Sequence, residues 1–394
     1  MSAPEGGSGA AVPAPFELPP YPYDRLGEIA RIAGAHPGGA VDCSVGTPCD
    51  PPPEAALSAL AASPAVRGYP PAIGSEELRR AASGWLGRRF GVEVAPTDVA
   101  ACVGTKELVA SVPHLLRLRD PGRDTVLYPA ISYPTYAMGA SLAWCRAVPV
   151  PPRSEDDGTP DLAAVDPEDV RRALLVWVNS PANPSGQLTD LATVAGWGRE
   201  HGVPVFSDEC YAEFTWNGPP RSILEQGSAG VVAVHSLSKR SNLAGLRAGF
   251  VAGDTDLVRF LREVRRHAGL MVPGPVQAAA AAALDDDEHV ELQRARYRER
   301  LSFVSKLLDG IGCPTTMPPG GFYLWPRVPA PYRDAWELAR FLARAGGMLT
   351  SPGDFYGPEG ADHLRVAVVQ PMERLELVAE RLASAGPPGA KPQP

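Results

Sequence analysis

One lysine in this sequence stands among groups that suit an anionic carbonyl compound. Lys239 follows two hydroxyl side chains, Ser236 and Ser238, and precedes Arg247 by eight positions. A lysine amine can form a Schiff base with an aldehyde, and hydroxyls with a guanidinium can hold a phosphate. An ordinary surface turn is the alternative, because these residue types are common in loops. The apolar run 230–234 favours chemistry, since it predicts a buried strand whose C-terminal end would carry the lysine.

Two motifs earlier in the chain also follow or flank predicted strands. Gly104-Thr105-Lys106 lies between a strand and a helix, so its amides would face the positive helix N-terminus, where a phosphate can bind. Tyr133 stands just before a proline on a loop and could stack on a flat ring. A plain turn and an ordinary packed tyrosine are the alternatives, so each motif alone is a weak indication.

Two polar motifs follow further buried strands. Asn183 lies in a stiff loop with two X-Pro bonds, where its amide could donate to an oxygen on a ligand ring, although a structural turn would look similar. Asp208 follows the apolar strand 203–207. A buried carboxylate is costly unless it meets a cation, and a protonated pyridine nitrogen is such a partner. Glu209 is the competing carboxylate.

Together these motifs predict pyridoxal 5'-phosphate (PLP) as the cofactor. This cofactor needs an amine for its aldehyde, an acid for its ring nitrogen, donors to its phenolic oxygen, a stacking ring and phosphate ligands. The sequence contains a candidate for each part, and the complete set is stronger evidence than any single motif.

The segment 236–249 resembles the lysine signature of the class I/II (fold-type I) PLP-dependent aminotransferases, and the resemblance covers about residues 20–385. It implies that Lys239 is the Schiff-base lysine and moves the proton between the substrate Cα and C4′ of the cofactor. Asp208 would pair with the ring nitrogen and, with Tyr211 and Lys239, form the catalytic set. The resemblance also implies the remaining cofactor contacts, which are Tyr211 and Asn183 at the phenolic oxygen, Tyr133 against the ring, and Gly104, Thr105, Lys106, Ser236, Ser238 and Arg247 at the phosphate.

The same resemblance implies substrate and subunit contacts. Arg365 would bind the substrate α-carboxylate in a bidentate fork, with Gly46 and Asn183 beside it. Without the family, Arg365 would be read as a surface arginine on a strand. Tyr69 would reach the phosphate of a neighbouring subunit, which predicts a homodimer with the active site at the subunit interface.

A narrower resemblance is to actinobacterial N-succinyldiaminopimelate aminotransferase of lysine and diaminopimelate biosynthesis (EC 2.6.1.17). It rests on specificity-region segments, namely 211–216, 219–224, 241–245, 267–273 and 351–357. The implied reaction is ping-pong transamination from L-glutamate to N-succinyl-2-amino-6-oxopimelate. Both substrates are polyanions, so a second cation besides Arg365 should face their distal carboxylates. The candidates, which sequence does not rank, are Lys106, Arg240, Arg265 and Arg266.

Several alternatives share the same fold. Another aminotransferase specificity, such as aspartate, aromatic or LL-diaminopimelate, would use the same cofactor site. A PLP-dependent C–S lyase or a decarboxylase would also use Lys239 and Asp208. A transcription-regulator domain that kept this fold is disfavoured, because only a short tail precedes the aminotransferase-like region.

Apolar strands alternate with amphipathic helices from about residue 76, which predicts an α/β fold with parallel pairing and helices on both faces of the sheet. Glu76–Phe90 is a predicted helix with Ser75 as its N-cap, and one long helix is predicted over residues 276–308. The expected fold-type I architecture is a large domain with a mostly parallel seven-stranded sheet plus a smaller α+β domain built from both chain ends. The predicted division is a flexible tail at 1–15, small-domain residues 16–46, a large PLP-binding domain 47–275, a linking helix and small domain at 276–385, and a flexible tail at 386–394.

Composition narrows the class of protein. The 394 residues carry a formal net charge of −8, which disfavours a nucleic-acid partner. No secretory signal is evident and no apolar run approaches the ~20 residues of a membrane span, so we expect a cytoplasmic protein with no membrane partner. The six scattered cysteines show no metal-ligand spacing and predict buried free thiols and no metal site.

Overall fold

The computed structural model describes residues 16–154 and 156–385, so the tails predicted over 1–15 and 386–394 lie outside the described residues. The strands are β1 (Val41–Asp42), β2 (Val99–Cys102), β3 (Thr125–Pro129), β4 (Arg146–Val150), β5 (Ala173–Asn179), β6 (Val205–Asp208), β7 (Val231–Ser236), β8 (Gly249–Gly253), β9 (Tyr323–Leu324), β10 (Met348–Leu349), β11 (Ser351–Pro352) and β12 (Leu364–Ala367).

The α-helices are α1 (Gly27–Gly34), α2 (Glu54–Ala62), α3 (Glu76–Phe90), α4 (Thr105–Arg119), α5 (Thr135–Leu142), α6 (Pro167–Arg172), α7 (Leu191–His201), α8 (Leu237–Arg240), α9 (Thr255–His267), α10 (Gly274–Asp285), α11 (Glu288–Gly310), α12 (Ala335–Gly346) and α13 (Met372–Ala385). Short 3-10 helices span Pro22–Leu26, Pro96–Asp98, Leu162–Ala164, Ala212–Phe214, Ile223–Gln226, Ala244–Leu246, Gly353–Tyr356 and Pro358–Gly360.

A seven-stranded sheet in the order β2-β8-β7-β6-β5-β3-β4 forms the centre of the larger part of the molecule. β8 runs antiparallel to both of its neighbours, and the other pairs are parallel. Every residue of β5 and β7 is buried, as expected for strands that helices cover on both faces. This sheet confirms the predicted mostly parallel α/β fold. The last residues of β5, β6 and β7 are Asn179, Asp208 and Ser236, which therefore meet at one edge.

A second, smaller unit combines both ends of the described chain. β1 pairs in parallel with β10, and β12 lies between β11 and β9 in an antiparallel sheet. Its hydrophobic core joins Ile29 and Val41 from the N-terminal part to Leu342, Val366 and Leu382 from the C-terminal part. This arrangement agrees with the predicted α+β unit, while the residue bounds of the two domains remain predictions.

Capping residues explain why one predicted helix is confirmed and another is interrupted. Ser75 caps α3 as predicted, because its Oγ accepts a hydrogen bond from the Leu78 amide at 3.1 Å. The single helix predicted over 276–308 is wrong, since α10 ends at Asp285 and α11 begins at Glu288. Asp286 lies between them in an extended conformation, and its carboxylate accepts the Glu288 amide at 2.9 Å. Aspartate competes with the helical ladder in this way and favours caps over helix interiors.

Two further expectations concern the burial of the cysteine thiols and the lack of a membrane-spanning helix. Cys43, Cys102, Cys145 and Cys313 are buried free thiols and Cys210 is half-buried, but Cys49 is exposed, contrary to the prediction of buried thiols. Within residues 16–154 and 156–385 no helix combines the length and the apolar character that crossing a membrane requires.

Candidate active site

A cavity of about 340 Å³ opens where β5, β6 and β7 end, and it gathers most of the residues that the sequence singled out. Those that line it are Gly46, Thr105, Lys106, Tyr133, Asn183, Asp208, Tyr211, Ser236, Ser238, Lys239, Arg247 and Arg365. Residues nearly 320 positions apart in the chain therefore share one site, from Gly46 to Arg365.

Two predicted residues do not line the cavity. Gly104 caps the N-terminus of α4 with a φ of 74°, and a Cβ at this position would lie 2.3 Å from Nη2 of Arg247. The positive φ favours glycine at this position, and the absence of a side chain leaves room for the guanidinium beside the helix N-terminus. Tyr69 lies outside the cavity on the surface of the chain, where it is 95% exposed.

Lys239 lies on α8, a helix of only four residues that directly follows β7. Ser236 caps this helix by accepting the Ser238 amide at 3.1 Å. The Lys239 Nζ donates to the carbonyl of Gly46. Burial lowers the pKa of Lys239 to about 8, and the charges of Arg365 and Arg247 act in the same direction. A lowered pKa increases the fraction of neutral amine, which is the nucleophilic form.

Asp208 is held at the end of β6 by two donors. Its Oδ2 accepts from the Tyr136 hydroxyl at 3.0 Å, and its Oδ1 accepts from the Cys210 amide at 3.2 Å. Burial raises the pKa of Asp208, and the bonds from Cys210 and Tyr136 oppose this shift. A buried carboxylate at the wall of a cavity fits a cationic group of a ligand, because the cation would offset the cost of burial.

Asp208 lines the cavity and Glu209 does not, because side chains alternate at the end of a strand. Glu209 does not line the cavity, and its Oε1 accepts from the Ile223 amide at 2.8 Å. Its Oε2 lies 3.4 Å from Nε2 of His235, which packs among aromatic rings of the core. Successive residues at a strand end point to opposite faces, so only Asp208 can meet a ligand here.

Arg365, on β12, is 1% exposed and is surrounded by aromatic and polar groups. Its Nη1 donates to Asn183 Oδ1 at 2.8 Å, and its Nη2 donates to the Tyr23 hydroxyl at 3.2 Å and to the Ser44 carbonyl. The guanidinium carbon lies 4.4 Å from the ring centre of Tyr323. The buried Nε has no hydrogen-bond partner among the described residues. A buried cation with an unused donor is suited to a carboxylate ligand.

Two side chains next to Arg365 have defined hydrogen-bond roles. Because Asn183 Oδ1 accepts from Arg365, the amide is oriented and its Nδ2 is the group that can donate to a ligand. The Tyr211 hydroxyl lies 2.8 Å from the Tyr323 hydroxyl, and both tyrosines are buried. Burial raises the pKa of Tyr211 well above its usual value, so the phenol stays protonated and can donate.

The other end of the site combines hydroxyls, a guanidinium and a helix terminus. Thr105 is the first residue of α4, a helix of 15 residues that begins at the cavity. Ser236, Ser238 and Arg247 line the same cavity, and Arg247 adopts a left-handed φ of 56° with its Nη1 bonded to the Ala244 carbonyl at 2.9 Å. This combination suits a phosphate.

The geometry therefore fits PLP, with an amine, a buried acid, an oriented amide and a phosphate end around one cavity. The family model described as aminotransferase class I and II matches residues 40–382. The chain belongs to the class I and II aminotransferases. Enzymes of this family depend on PLP, so this aminotransferase uses the cofactor that its site predicts.

Curated relatives resemble this aminotransferase over most of its length. The probable aminotransferase Rv1178 of Mycobacterium tuberculosis is 43% identical, over 93% of this chain and 85% of the relative. The 4-dedimethylamino-4-oxo-anhydrotetracycline transaminase OxyQ of Streptomyces rimosus is 42% identical, over 93% and 99%. An LL-diaminopimelate aminotransferase of Desulforudis audaxviator is 35% identical, over 93% and 95%.

Solved structures show the same fold. Substrate-bound BacF from Bacillus subtilis superposes with a TM-score of 0.86 at 28% identity, over 93% of this aminotransferase and 95% of that chain. A probable N-succinyldiaminopimelate aminotransferase from Thermus thermophilus superposes with a TM-score of 0.81 at 32% identity, over 92% and 99%. These neighbours confirm the predicted fold-type I architecture.

The structure shows which of the four candidate cations could contact a distal carboxylate of the substrate. Arg240 is buried against Glu213 at 3.1 Å, and Arg265 forms a bidentate pair with Glu107 at 2.8 and 2.7 Å. Arg266 is an exposed side chain outside the cavity. Lys106 lines the cavity, with its Nζ 3.3 Å from the Tyr21 hydroxyl. Three of the four candidates are thus excluded by position, and Lys106 remains.

Sequence reasoning missed several lining residues, which are Tyr21, Tyr23, Val45, Thr47, Tyr136, Asn179, Cys210, Ala244 and Tyr323. Tyr136 had a local signal, because it follows Tyr133 by three positions on the same loop and helix start. Tyr23 and Tyr323 had none, since they reach Arg365 from opposite ends of the chain.

Proposed function

We propose that this aminotransferase moves the amino group of L-glutamate to N-succinyl-2-amino-6-oxopimelate by ping-pong transamination, in lysine and diaminopimelate biosynthesis. The observation that carries the proposal is that Lys106, besides Arg365, lines the cavity without a carboxylate partner among the described residues. Arg365 is placed for one carboxylate and Lys106 for another, and both proposed substrates carry at least two. The resemblance to the Thermus thermophilus protein, whose name states this activity as probable, supports the same assignment.

The residues of the site have distinct roles in this proposal. When bound, PLP supplies an aldehyde carbon and an electron-accepting ring. The Lys239 amine would hold the cofactor and would take up and return the proton at the substrate Cα. Asp208 keeps the ring nitrogen protonated, and Arg365 orients the α-carboxylate so that the Cα–H bond faces Lys239.

The remaining contacts hold the cofactor in place. Tyr211 and Asn183 would donate to its phenolic oxygen, and Tyr133 would stack on its ring. Thr105, the Lys106 backbone, Ser236, Ser238 and Arg247 bind its phosphate beside Gly104. Gly46 lies along the substrate carboxylate.

The protein acts as a homodimer in this proposal. Tyr69 is almost fully exposed in a single chain and does not reach its own cavity. An exposed aromatic side chain of this kind is suited to a partner surface. We place Tyr69 at the phosphate of the neighbouring subunit, so that each active site is completed by the other chain.

An acceptor screen with glutamate as the donor tests the substrate assignment. We expect the highest kcat/KM for N-succinyl-2-amino-6-oxopimelate, above oxaloacetate and phenylpyruvate. If the succinylated acceptor is no better than those two, the assignment is wrong. Formation of pyruvate and ammonia, or of carbon dioxide, without a keto-acid acceptor would instead indicate a lyase or a decarboxylase.

Lys106→Met is expected to lower kcat/KM for the succinylated acceptor by about 10–100-fold, because a charge-assisted contact to its distal carboxylate is lost. Pyruvate, which has no distal carboxylate, should change by less than about threefold. The matched control is Arg266→Met, which removes an exposed cation outside the cavity. Equal losses for both acceptors would show that Lys106 does not contact a distal carboxylate.

A second candidate function is favoured by the relatives and by the aromatic wall of the cavity. Tyr21, Tyr23 and Tyr133 line the site, and OxyQ is named for a polycyclic ketone while other relatives are named for LL-diaminopimelate. Transamination between LL-diaminopimelate and 2-oxoglutarate, and amination of a polycyclic ketone, therefore belong in the same screen. A higher kcat/KM for either would replace the succinylated substrate.

A further inference from the structure

A segment that the sequence singled out for specificity, 211–216, and the lysine segment 236–249 meet in a buried ion pair outside the cavity. Glu213 belongs to the segment that follows Asp208 and Tyr211, and Arg240 directly follows Lys239. The Glu213 Oε1 accepts from the Arg240 Nε at 3.1 Å, with the two side chains 4% and 3% exposed. Neither residue lines the cavity. The pair thus joins the two segments that carry the proposed catalytic groups.

Glu213 accepts hydrogen bonds from three side chains and not from Arg240 alone. Besides Arg240, its oxygens accept from the Trp85 Nε1 at 2.7 Å and from the Arg89 Nε at 2.9 Å, both on α3. It lies on the 3-10 helix Ala212–Phe214, which begins directly after Tyr211. A buried carboxylate with three donors has little freedom to move, and it fixes the backbone that carries it.

Arg240 is held on its other side by the connection between α10 and α11. Its Nη1 donates to Ser241 Oγ at 3.1 Å and to the Ala283 carbonyl, and its Nη2 donates to the Asp286 carbonyl at 3.2 Å and to Asp287 Oδ1 at 3.0 Å. A guanidinium presents its N–H donors in a rigid fork, so this many partners define its position.

The helix that carries Lys239 depends on such an external anchor. α8 spans only Leu237–Arg240, and one helical turn is not stable by its own hydrogen bonds. Its N-terminal end is capped by Ser236, and its last residue is Arg240. The orientation of the turn, and with it the direction of Lys239, is therefore set at the Arg240 end by Glu213 and Asp287.

We propose that the Glu213 carboxylate is a positioning group that sets, through Arg240, where the Lys239 amine stands relative to Asp208 and Tyr211. The inference rests on the proposed role of Lys239 but not on the identity of the acceptor. Glu213 touches neither substrate nor cofactor and acts only through its neighbours. A displacement of about 1 Å in a reacting group costs on the order of 100-fold in rate, so a loosened anchor should show itself in kcat.

Glu213→Gln tests the proposal, because it keeps the side-chain shape and removes one of the two carboxylate charges that hold Arg240. We expect kcat to fall about 10–100-fold, by the same factor for every acceptor, while KM changes by less than about threefold. The matched control is Glu291→Gln, which removes the half-exposed partner of Arg89 at 2.6 Å. It should change neither constant beyond about twofold.

A second readout uses the protein without cofactor. The pH dependence of Lys239 acylation by a small reagent reports the pKa of its amine. Glu213→Gln leaves Asp287 as the remaining carboxylate against Arg240, so less of the Arg240 charge is compensated and we expect the pKa of Lys239 to fall below its wild-type value. A residue that only stabilises the fold would lower the melting temperature and leave this pKa unchanged.

The double variant Glu213→Gln with Arg240→Met covers the case in which an unpaired buried arginine unfolds the single variant. It leaves no uncompensated charge in the pair, so it should fold and still show the loss of kcat. The proposal is overturned by an unchanged kcat in the folded variant, by an equal loss in Glu291→Gln, or by a kcat loss in Glu213→Gln without a shift of the Lys239 pKa. A wrong substrate assignment would appear instead in the acceptor ranking of the wild-type enzyme.

Discussion

Lys239→Ala is expected to abolish transamination, with the rate falling on the order of 10⁵-fold or more, because the variant lacks both the amine that holds the cofactor and the proton carrier. The visible absorption band of the lysine-bound cofactor should disappear as well. Rapid-mixing measurement of the glutamate half-reaction and an absorption spectrum of the purified protein check both results. Lys306→Ala, at an exposed lysine on α11, is the control and should keep both. Retained activity in Lys239→Ala would refute the Schiff-base assignment.

The lowered pKa of Lys239 predicts how the rate of cofactor capture depends on pH. With a pKa of about 8, about a quarter of the amine is neutral at pH 7.5, against about one part in a thousand for an ordinary lysine. The amine loses its proton as the pH rises through this value. The rate of cofactor capture by the cofactor-free protein should therefore increase up to about pH 8 and then level off. An increase that continues to pH 10 would show that the amine is not desolvated.

Asp208→Ala is expected to lower the rate of the glutamate half-reaction by about 10³–10⁴-fold, because the ring nitrogen loses the carboxylate that keeps it protonated. The interaction between the ring nitrogen and the carboxylate should also change the pKa of Asp208. Burial raises the pKa of this carboxyl in the chain, and a neighbouring pyridinium would favour the charged form. Single-turnover kinetics with glutamate measure the effect independently of the acceptor.

Glu209→Gln is the matched control for Asp208→Ala, since it changes the adjacent buried carboxyl on the other side of the strand. Burial raises the pKa of Glu209 to about 7, so a large part of this carboxyl is already uncharged near neutral pH, and an amide of the same shape changes it less than it would change an ordinary carboxylate. We expect the half-reaction to stay within about threefold of the wild type. If Glu209→Gln loses as much rate as Asp208→Ala, the two carboxylates have been assigned the wrong way round.

Much of the candidate site could be predicted because its parts follow strands of one sheet. Asp208 is the last residue of a buried strand, Lys239 and Asn183 come three and four residues after one, and the carboxyl ends of parallel strands share one edge. Hydrophobic periodicity, the alternation of strands with helices along the chain and capping residues can be read from the sequence, which is why the α/β fold and the helix α3 were predicted correctly. The break between α10 and α11 was missed, because a run of aspartates can belong to an exposed helix face or to a cap.

Only the tertiary structure decided which charges meet. Arg240, Arg265 and Lys106 look alike in the sequence, yet two are buried in ion pairs and one lines the cavity. Arg365 is buried beside Tyr23 from the N-terminal part of the chain and Tyr323 from the adjacent strand β9. Local sequence determines strands, turns and the residue types at their ends. The partner of a side chain depends on packing between distant segments, and no local pattern records it.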